Sequence, residues 1–303
     1  MTAASLDASL PCGSMWRIRG VDLHVRPIGP QDAPALLIVH GGPGANHKKL
    51  LPLSVFSSKF RVVFYDQRGT GDSARLHVDP KSPETLKKLS LEENVLDIDA
   101  LRQALGQETM SVLGHSWGGA LATFYAAEFP QHVNRLIVSS GGPEDLNLWE
   151  EKERNHSKKR TPEENELLQQ KAKQLEAAVK DGADHTILDR LFAEAIRIAY
   201  PSLYFRRPER IPELGRMGFW ANAVVGQYCE TFDRNEFAEK LRQITCPSLL
   251  LWGRHEPSPQ ERLIYLERHL PNARLVVFEN SGHNAIEEEP ERFFQVISDF
   301  LLQ

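Results

Sequence analysis

Ser116 stands in Gly114-His115-Ser116-Trp117-Gly118-Gly119, a G-x-S-x-G pattern between the apolar residues 110–113 and a small-residue stretch through Ala120, Ala122 and Ala126. A serine hydroxyl attacks well only from a sharp turn that frees it from its own backbone and brings it within reach of a base. Flanking glycines permit that turn and let the following helix pack closely on the strand. The pattern by itself is short and recurs by chance. Its placement between a strand and a helix is what predicts a nucleophile.

An activated serine needs a base, and the base needs an orienting acid. On strand–turn–helix scaffolds of this kind the partners follow in the order serine, acid, histidine. Of the eleven histidines, His283 lies in Asn280-Ser281-Gly282-His283-Asn284, directly after the last predicted strand, and is the expected base. The run 248–252 (SLLLW) leads into Gly253-Arg254-His255-Glu256-Pro257, which makes Glu256 the expected acid. Glu144 and Asp145, after the preceding strand, are the alternatives. The oxyanion of an acyl-transfer intermediate needs two amide donors. Trp117 N–H supplies one, and His40-Gly41-Gly42-Pro43-Gly44 offers the other, with Gly42 the best-placed residue. That loop has neither G-x-G-x-x-G spacing nor a P-loop Lys-Ser/Thr, so phosphate binding is not expected. His40 and His115 read as loop-orienting residues. No metal-ligand spacing such as H-E-x-x-H occurs, and no metal or cofactor is expected. Asp66-Gln67-Arg68-Gly69-Thr70-Gly71-Asp72-Ser73 precedes the serine and reads as an internal ion-pair and turn network.

These residues need a scaffold, and the apolar patterning supplies one. Residues 15–27 alternate about Gly20 as an antiparallel hairpin does. Runs 35–40 (ALLIVH), 61–65 (RVVFY), 133–139 (VNRLIVS), 248–252 and 273–278 suit strands covered on both faces. Helical spacing marks 91–105, with Val95, Ile98, Leu101 and Leu105 on one face, and a final helix at 290–302. Alternating strands and helices predict an α/β domain with a mostly parallel sheet. That rhythm breaks after Gly141-Gly142-Pro143 and resumes near Cys246. Between them Thr161-Pro162-Glu163-Glu164 predicts a helix start with a capping box, and Leu188, Leu191, Phe192, Ala195 and Ile198 mark another helix. The expected organisation is a first core part at 1–142, a helical cap at 143–237, and a second core part at 238–303.

The 303 residues are 41% hydrophobic and 25% charged with a net charge of −5, and basic residues are scattered. Nothing there favours nucleic acid as a partner. Three cysteines without metal spacing suit a reducing compartment, and Cys246 reads as packing. Residues 1–14 lack the basic start and apolar core of a leader, and no apolar run approaches the roughly 20 residues that span a bilayer. A cytoplasmic protein without a membrane partner is expected. The sequence carries no signal for an oligomeric state.

Taken together, residues 40–44 (HGGPG), 66–73 (DQRGTGDS) and 114–119 (GHSWGG), with Gly282-His283 downstream, resemble the proline iminopeptidase (prolyl aminopeptidase) family of the α/β-hydrolase superfamily. The resemblance spans nearly the whole chain. It implies an α/β-hydrolase fold with an inserted helical cap, and release of an N-terminal residue, often proline, from short peptides without metal or cofactor. Two departures stand out. The family has aspartate where this chain has Glu256, and the stretch before Pro259 is one residue shorter. The family also holds the substrate ammonium with cap glutamates, whereas the corresponding segment here, Phe219-Trp220-Ala221-Asn222-Ala223-Val224-Val225-Gly226, has no carboxylate. Glu230 and Glu144 are the candidate substitutes, and Phe219, Trp220 and Tyr228 are expected to line an apolar pocket. Three readings follow: an aminopeptidase or amidase on small-molecule or short-peptide substrates, an esterase or lactonase, and a non-catalytic binding protein on the same fold. The intact serine, histidine and oxyanion loop argue against the third.

Overall fold

In the computed structural model, which describes residues 9–209, 211 and 213–303, the apolar runs lie side by side in one eight-stranded sheet. Most of residues 1–14, on which the leader reading rests, lie outside the described residues. The strands are β1 (Ser14–Ile18), β2 (Val21–Ile28), β3 (Ala35–Val39), β4 (Arg61–Tyr65), β5 (Met110–His115), β6 (Val133–Ser139), β7 (Ser248–Gly253) and β8 (Ala273–Phe278). Their order is β1-β2-β4-β3-β5-β6-β7-β8. The first two strands form the expected hairpin, and β2 meets β4 antiparallel; every other pairing is parallel.

The continuous apolar runs are explained by burial on both faces. In β3, Leu37 packs with Val63 and Val112 on one face, while Leu36 and Ile38 join Leu51, Phe64 and Leu249 on the other. Successive side chains of a strand point to opposite faces, so a two-sided core needs an unbroken apolar run. Helices α1 (Leu91–Ala104) and α2 (Trp117–Glu128) flank the sheet.

Between β6 and β7 the chain builds a helical layer: α3 (Leu146–Lys159), α4 (Pro162–Lys180), α5 (His185–Ala199), α6 (Phe219–Gly226) and α7 (Arg234–Leu241). Thr161 Oγ1 accepts from Glu164 N at 3.2 Å while Glu164 Oε2 accepts from Thr161 N at 2.9 Å, the capping box expected of that sequence. The second core part contributes α8 (Glu261–His269) and α9 (Pro290–Leu301). Among the described residues no helix is long and apolar enough to cross a membrane.

The consequence for chemistry is positional. HGGPG follows β3, Asp66 follows β4, Ser116 follows β5, Glu256 lies just past β7 and His283 just past β8. All sit at the carboxyl ends of strands, the edge where open α/β sheets form their binding crevice.

Candidate active site

Ser116 bridges β5 and α2 with φ 58° and ψ −126°, a backbone region that serine rarely occupies and that stores strain. The elbow is held by close packing. A Cβ on Gly118 would lie 2.1 Å from the Val39 carbonyl oxygen, so only glycine lets α2 approach the sheet there. Ser116 N donates to Ser139 O at 2.8 Å, tying the turn to β6. Its neighbours are buried, whereas Ser116 itself keeps partial exposure.

The expected acid and base meet. His283 Nδ1 lies 2.8 Å from Glu256 Oε2 and 3.0 Å from Oε1, with the Glu256 side chain fully buried. Burial opposes the charge on Glu256. The His283 ring, the Ser258 N–H at 3.1 Å and Arg262 outweigh it and hold the carboxyl at about 2. An ionised, immobile carboxylate on Nδ1 makes Nδ1 the protonated nitrogen and leaves Nε2 as the acceptor. His283 N donates to Leu203 O at 2.7 Å, so a segment within the helical layer also anchors His283. His115 packs its ring 5.0 Å from that of His283; burial, with His283 and Lys49 nearby, keeps it well below the ordinary histidine range.

The HGGPG loop lies against the Ser116 elbow: a Cβ on Gly41 would sit 2.8 Å from Ser116 Cβ. Gly42 has φ +125°, a conformation open to glycine and strained for other residues. Behind it Gln67, 3% exposed, joins two elements that sequence alone leaves apart. Its Nε2 donates to His40 O at 2.7 Å, its Oε1 accepts from Trp117 Nε1 at 3.0 Å, and its backbone N–H donates to His40 Nε2 at 3.0 Å. His40 Nδ1 in turn donates to Gly41 O at 2.9 Å, and burial lowers its pKa to about 4, so the ring stays neutral. Gln67 thus braces the loop that carries Gly42 to the residue after the serine. The rest of the DQRG segment is the internal network expected: Asp66 Oδ1 accepts from His47 N at 2.9 Å, and Arg68 pairs with buried Asp97.

The residues expected to line a substrate pocket are dispersed. Tyr228 packs 5.4 Å from the Trp117 ring, and its hydroxyl accepts from Glu144 N at 3.2 Å. Glu144 is buried and already paired, with Lys152 Nζ at 2.6 Å and Arg262 Nη1 at 3.3 Å. Burial disfavours its charge, but Arg262 and Lys152 prevail and hold it below the ordinary glutamate range. Glu230 is exposed and lines a surface groove with Asp145, Asp233 and Arg268. Asp145 caps α3 by accepting from Leu148 N at 3.0 Å. Phe219 packs edge-on to Phe192 and Trp220, and Trp220 leans on a side cluster of Val78, Leu89 and Val224. The contact from this segment to the HGGPG loop comes instead from Asn222, whose Nδ2 donates to Pro43 O at 2.9 Å. Gln67, Asn222, Lys152 and Arg262 have no motif of their own. For Gln67, the signal was its position inside a motif that otherwise reads as scaffold.

Known proteins share this fold. Residues 34–290 match the family model described as the alpha/beta hydrolase fold. The chain is 30% identical over 282 residues to a proline iminopeptidase of Heyndrickxia coagulans, covering 88% of this chain and 90% of that protein. Among solved structures, the proline iminopeptidase of Mycobacterium smegmatis superposes with a TM-score of 0.67 at 24% identity, over 96% of this chain and 98% of that one. The enol-lactonase of Burkholderia xenovorans superposes with a TM-score of 0.64 at 20% identity, over 95% of this chain and 100% of that one. Those two likenesses bear on the fold. The match to the family model and to the Heyndrickxia protein carries the assignment: the chain belongs to the α/β-hydrolase fold family, as a proline iminopeptidase-like hydrolase.

Proposed function

We propose that this serine hydrolase of the prolyl aminopeptidase type works through an acyl-enzyme on Ser116, releasing an N-terminal residue from small amide or short-peptide substrates. The carrying observation is the buried Glu256–His283 pair at 2.8 Å, formed from loops that follow β7 and β8 of the sheet in which β5 leads into Ser116. In this reading Ser116 Oγ attacks the substrate carbonyl while His283 Nε2 takes its proton. The tetrahedral oxyanion rests on the amides of Trp117 and Gly42. His283 then protonates the leaving amine, and water hydrolyses the acyl-enzyme with the same residues in reversed roles. We place the activity in the cytosol, where Cys12, Cys229 and Cys246 stay as free thiols.

The test compares proline-, alanine- and leucine-arylamides with short-chain nitrophenyl esters on one preparation. Arylamide turnover supports the peptidase reading. Ester turnover without arylamide turnover replaces it with the second reading, an esterase or lactonase. One observation favours that alternative: Glu144, the carboxylate nearest in sequence to the elbow-facing Gly141, is neutralised by Lys152 and Arg262 and has no charge left for a substrate ammonium.

That pairing makes a direct prediction. Glu144→Gln leaves buried Arg262 and partly buried Lys152 without their anion and should destabilise the protein by roughly 3–5 kcal/mol in urea unfolding. KM for arylamides should stay within about twofold, and a large rise in KM would return Glu144 to the substrate pocket. Gln67→Leu makes a different prediction. It removes the side-chain brace between His40 and Trp117, and kcat should fall roughly 10–100-fold with a much smaller change in KM. Unchanged kcat would show that the oxyanion loop holds its shape without the brace.

A further inference from the structure

We propose that His24, His47 and Asp66 form a binding site for one divalent transition-metal ion of the zinc class, behind the HGGPG loop. The three come from separate elements: His24 from β2, His47 from the start of the helical segment His47–Ser58, and Asp66 from the end of β4. One ligand atom of each lies within 4.8 Å of those of the other two.

Two observations mark a built site rather than a self-contained hydrogen-bonded cluster. The first is that His24 Nδ1 is buried and has no hydrogen-bond partner, although it faces the Asp66 carboxylate. A buried polar nitrogen left unsatisfied is costly, and an ion between it and the carboxylate would satisfy it. The second is the orientation of His47. Its Nδ1 lies 2.8 Å from Asp66 Oδ1, so Nδ1 and the carboxylate face the same space, and an ion bound there takes the place of the Nδ1 proton. Asp66 Oδ2 lies 3.7 Å from His24 Nδ1. His24 owes its place to Gly13: a Cβ there would meet His24 Nε2 at 2.2 Å. The two rings face each other at 5.2 Å between centroids. Zinc bonds of about 2.0–2.1 Å require the three groups to draw closer around the ion.

Two imidazoles and a carboxylate are a ligand set for zinc, and for cobalt or nickel as probes. His47 stands three residues after Gly44, and Asp66 is the residue before Gln67. An ion here would brace the oxyanion loop from behind without reaching Ser116.

The test does not depend on the hydrolytic reading. Chelator-stripped full-length protein is titrated with Zn²⁺ by calorimetry and with Co²⁺ by visible absorption, and circular dichroism verifies folding. One equivalent should bind, with a rise in the thermal unfolding midpoint. His24→Asn and His47→Asn should each weaken binding by more than about 100-fold, beyond the 10–100-fold loss typical of removing an outer-shell partner. Wild-type protein that takes up no metal at millimolar concentration overturns the proposal, whatever the variants do. Variants that bind as tightly as wild type overturn it too, by placing the metal on other histidines.

Discussion

Ser116→Ala should fold like the parent and lose kcat by on the order of 10⁶, the size of loss that removing such a nucleophile produces. The elbow geometry makes this a clean experiment. The Ser116 side chain makes no hydrogen bond that caps α2, and the turn is held by its backbone bond to Ser139 O and by the glycines packed around it. Deleting the hydroxyl therefore removes the attacking atom and little else. A companion variant separates chemistry from strain. Ser116→Gly is equally inactive, yet it relieves a non-glycine residue at φ 58° and should raise stability by about 1 kcal/mol in urea unfolding. Wild-type turnover in the alanine variant would remove the acyl-enzyme from the account of this protein altogether.

Glu256→Gln is the second large effect, with kcat/KM expected to fall by roughly 10³–10⁴. The carboxylate accepts from His283 Nδ1 and faces the imidazolium that forms when the serine proton is taken. An amide offers no charge, and its NH₂ group can turn toward the ring and reverse the tautomer. A stability effect accompanies it, and its sign follows from the shifted pKa. The carboxyl is held at about 2 against an ordinary 4.5, so its ionisation stabilises the folded state above about pH 4.5 and that contribution disappears as pH falls toward 2. The difference is on the order of 3 kcal/mol. Parent and variant should therefore differ in urea midpoint at pH 7 and converge near pH 2. Near-normal turnover in Glu256→Gln would direct the search to Glu144 or Asp145, the other carboxylates after a neighbouring strand. The structure pairs Glu144 with Lys152 and Arg262, and Asp145 caps α3.

Much of this machinery is legible in the chain because it is encoded locally. G-x-S-x-G needs glycines at fixed offsets for one turn, and HGGPG needs them to expose amides. The parallel strands announce themselves as unbroken apolar runs. The meeting of Glu256 with His283 was foreshadowed by its place shortly after β7, from which its carboxylate reaches His283 Nδ1 at 2.8 Å. The helical layer was legible where capping and periodicity were strong, as at Thr161 and along α4 and α5. It was less so for α3, whose LNLWEEKERNHSKK is so charged that its buried contacts, Leu148 and His156, do not form a stripe.

What sequence by itself determined was the reaction class and the sheet that carries it, because a nucleophile elbow and a two-faced strand are set by near neighbours. Tertiary structure alone decided which groups are free to act. Glu144 looked available for a substrate amine until Lys152 and Arg262, brought from α3 and α8, took up its charge. Gln67 looked like scaffold until folding placed it between His40 and Trp117. His24, His47 and Asp66 share no spacing that a ligand motif could register, and the parting of β2 from β4 in the chain is undone only by their pairing in the sheet. The physical reason is common to all three. A charge or a hydrogen-bonding atom acts according to what surrounds it in space, and those surroundings arise from segments distant in the chain.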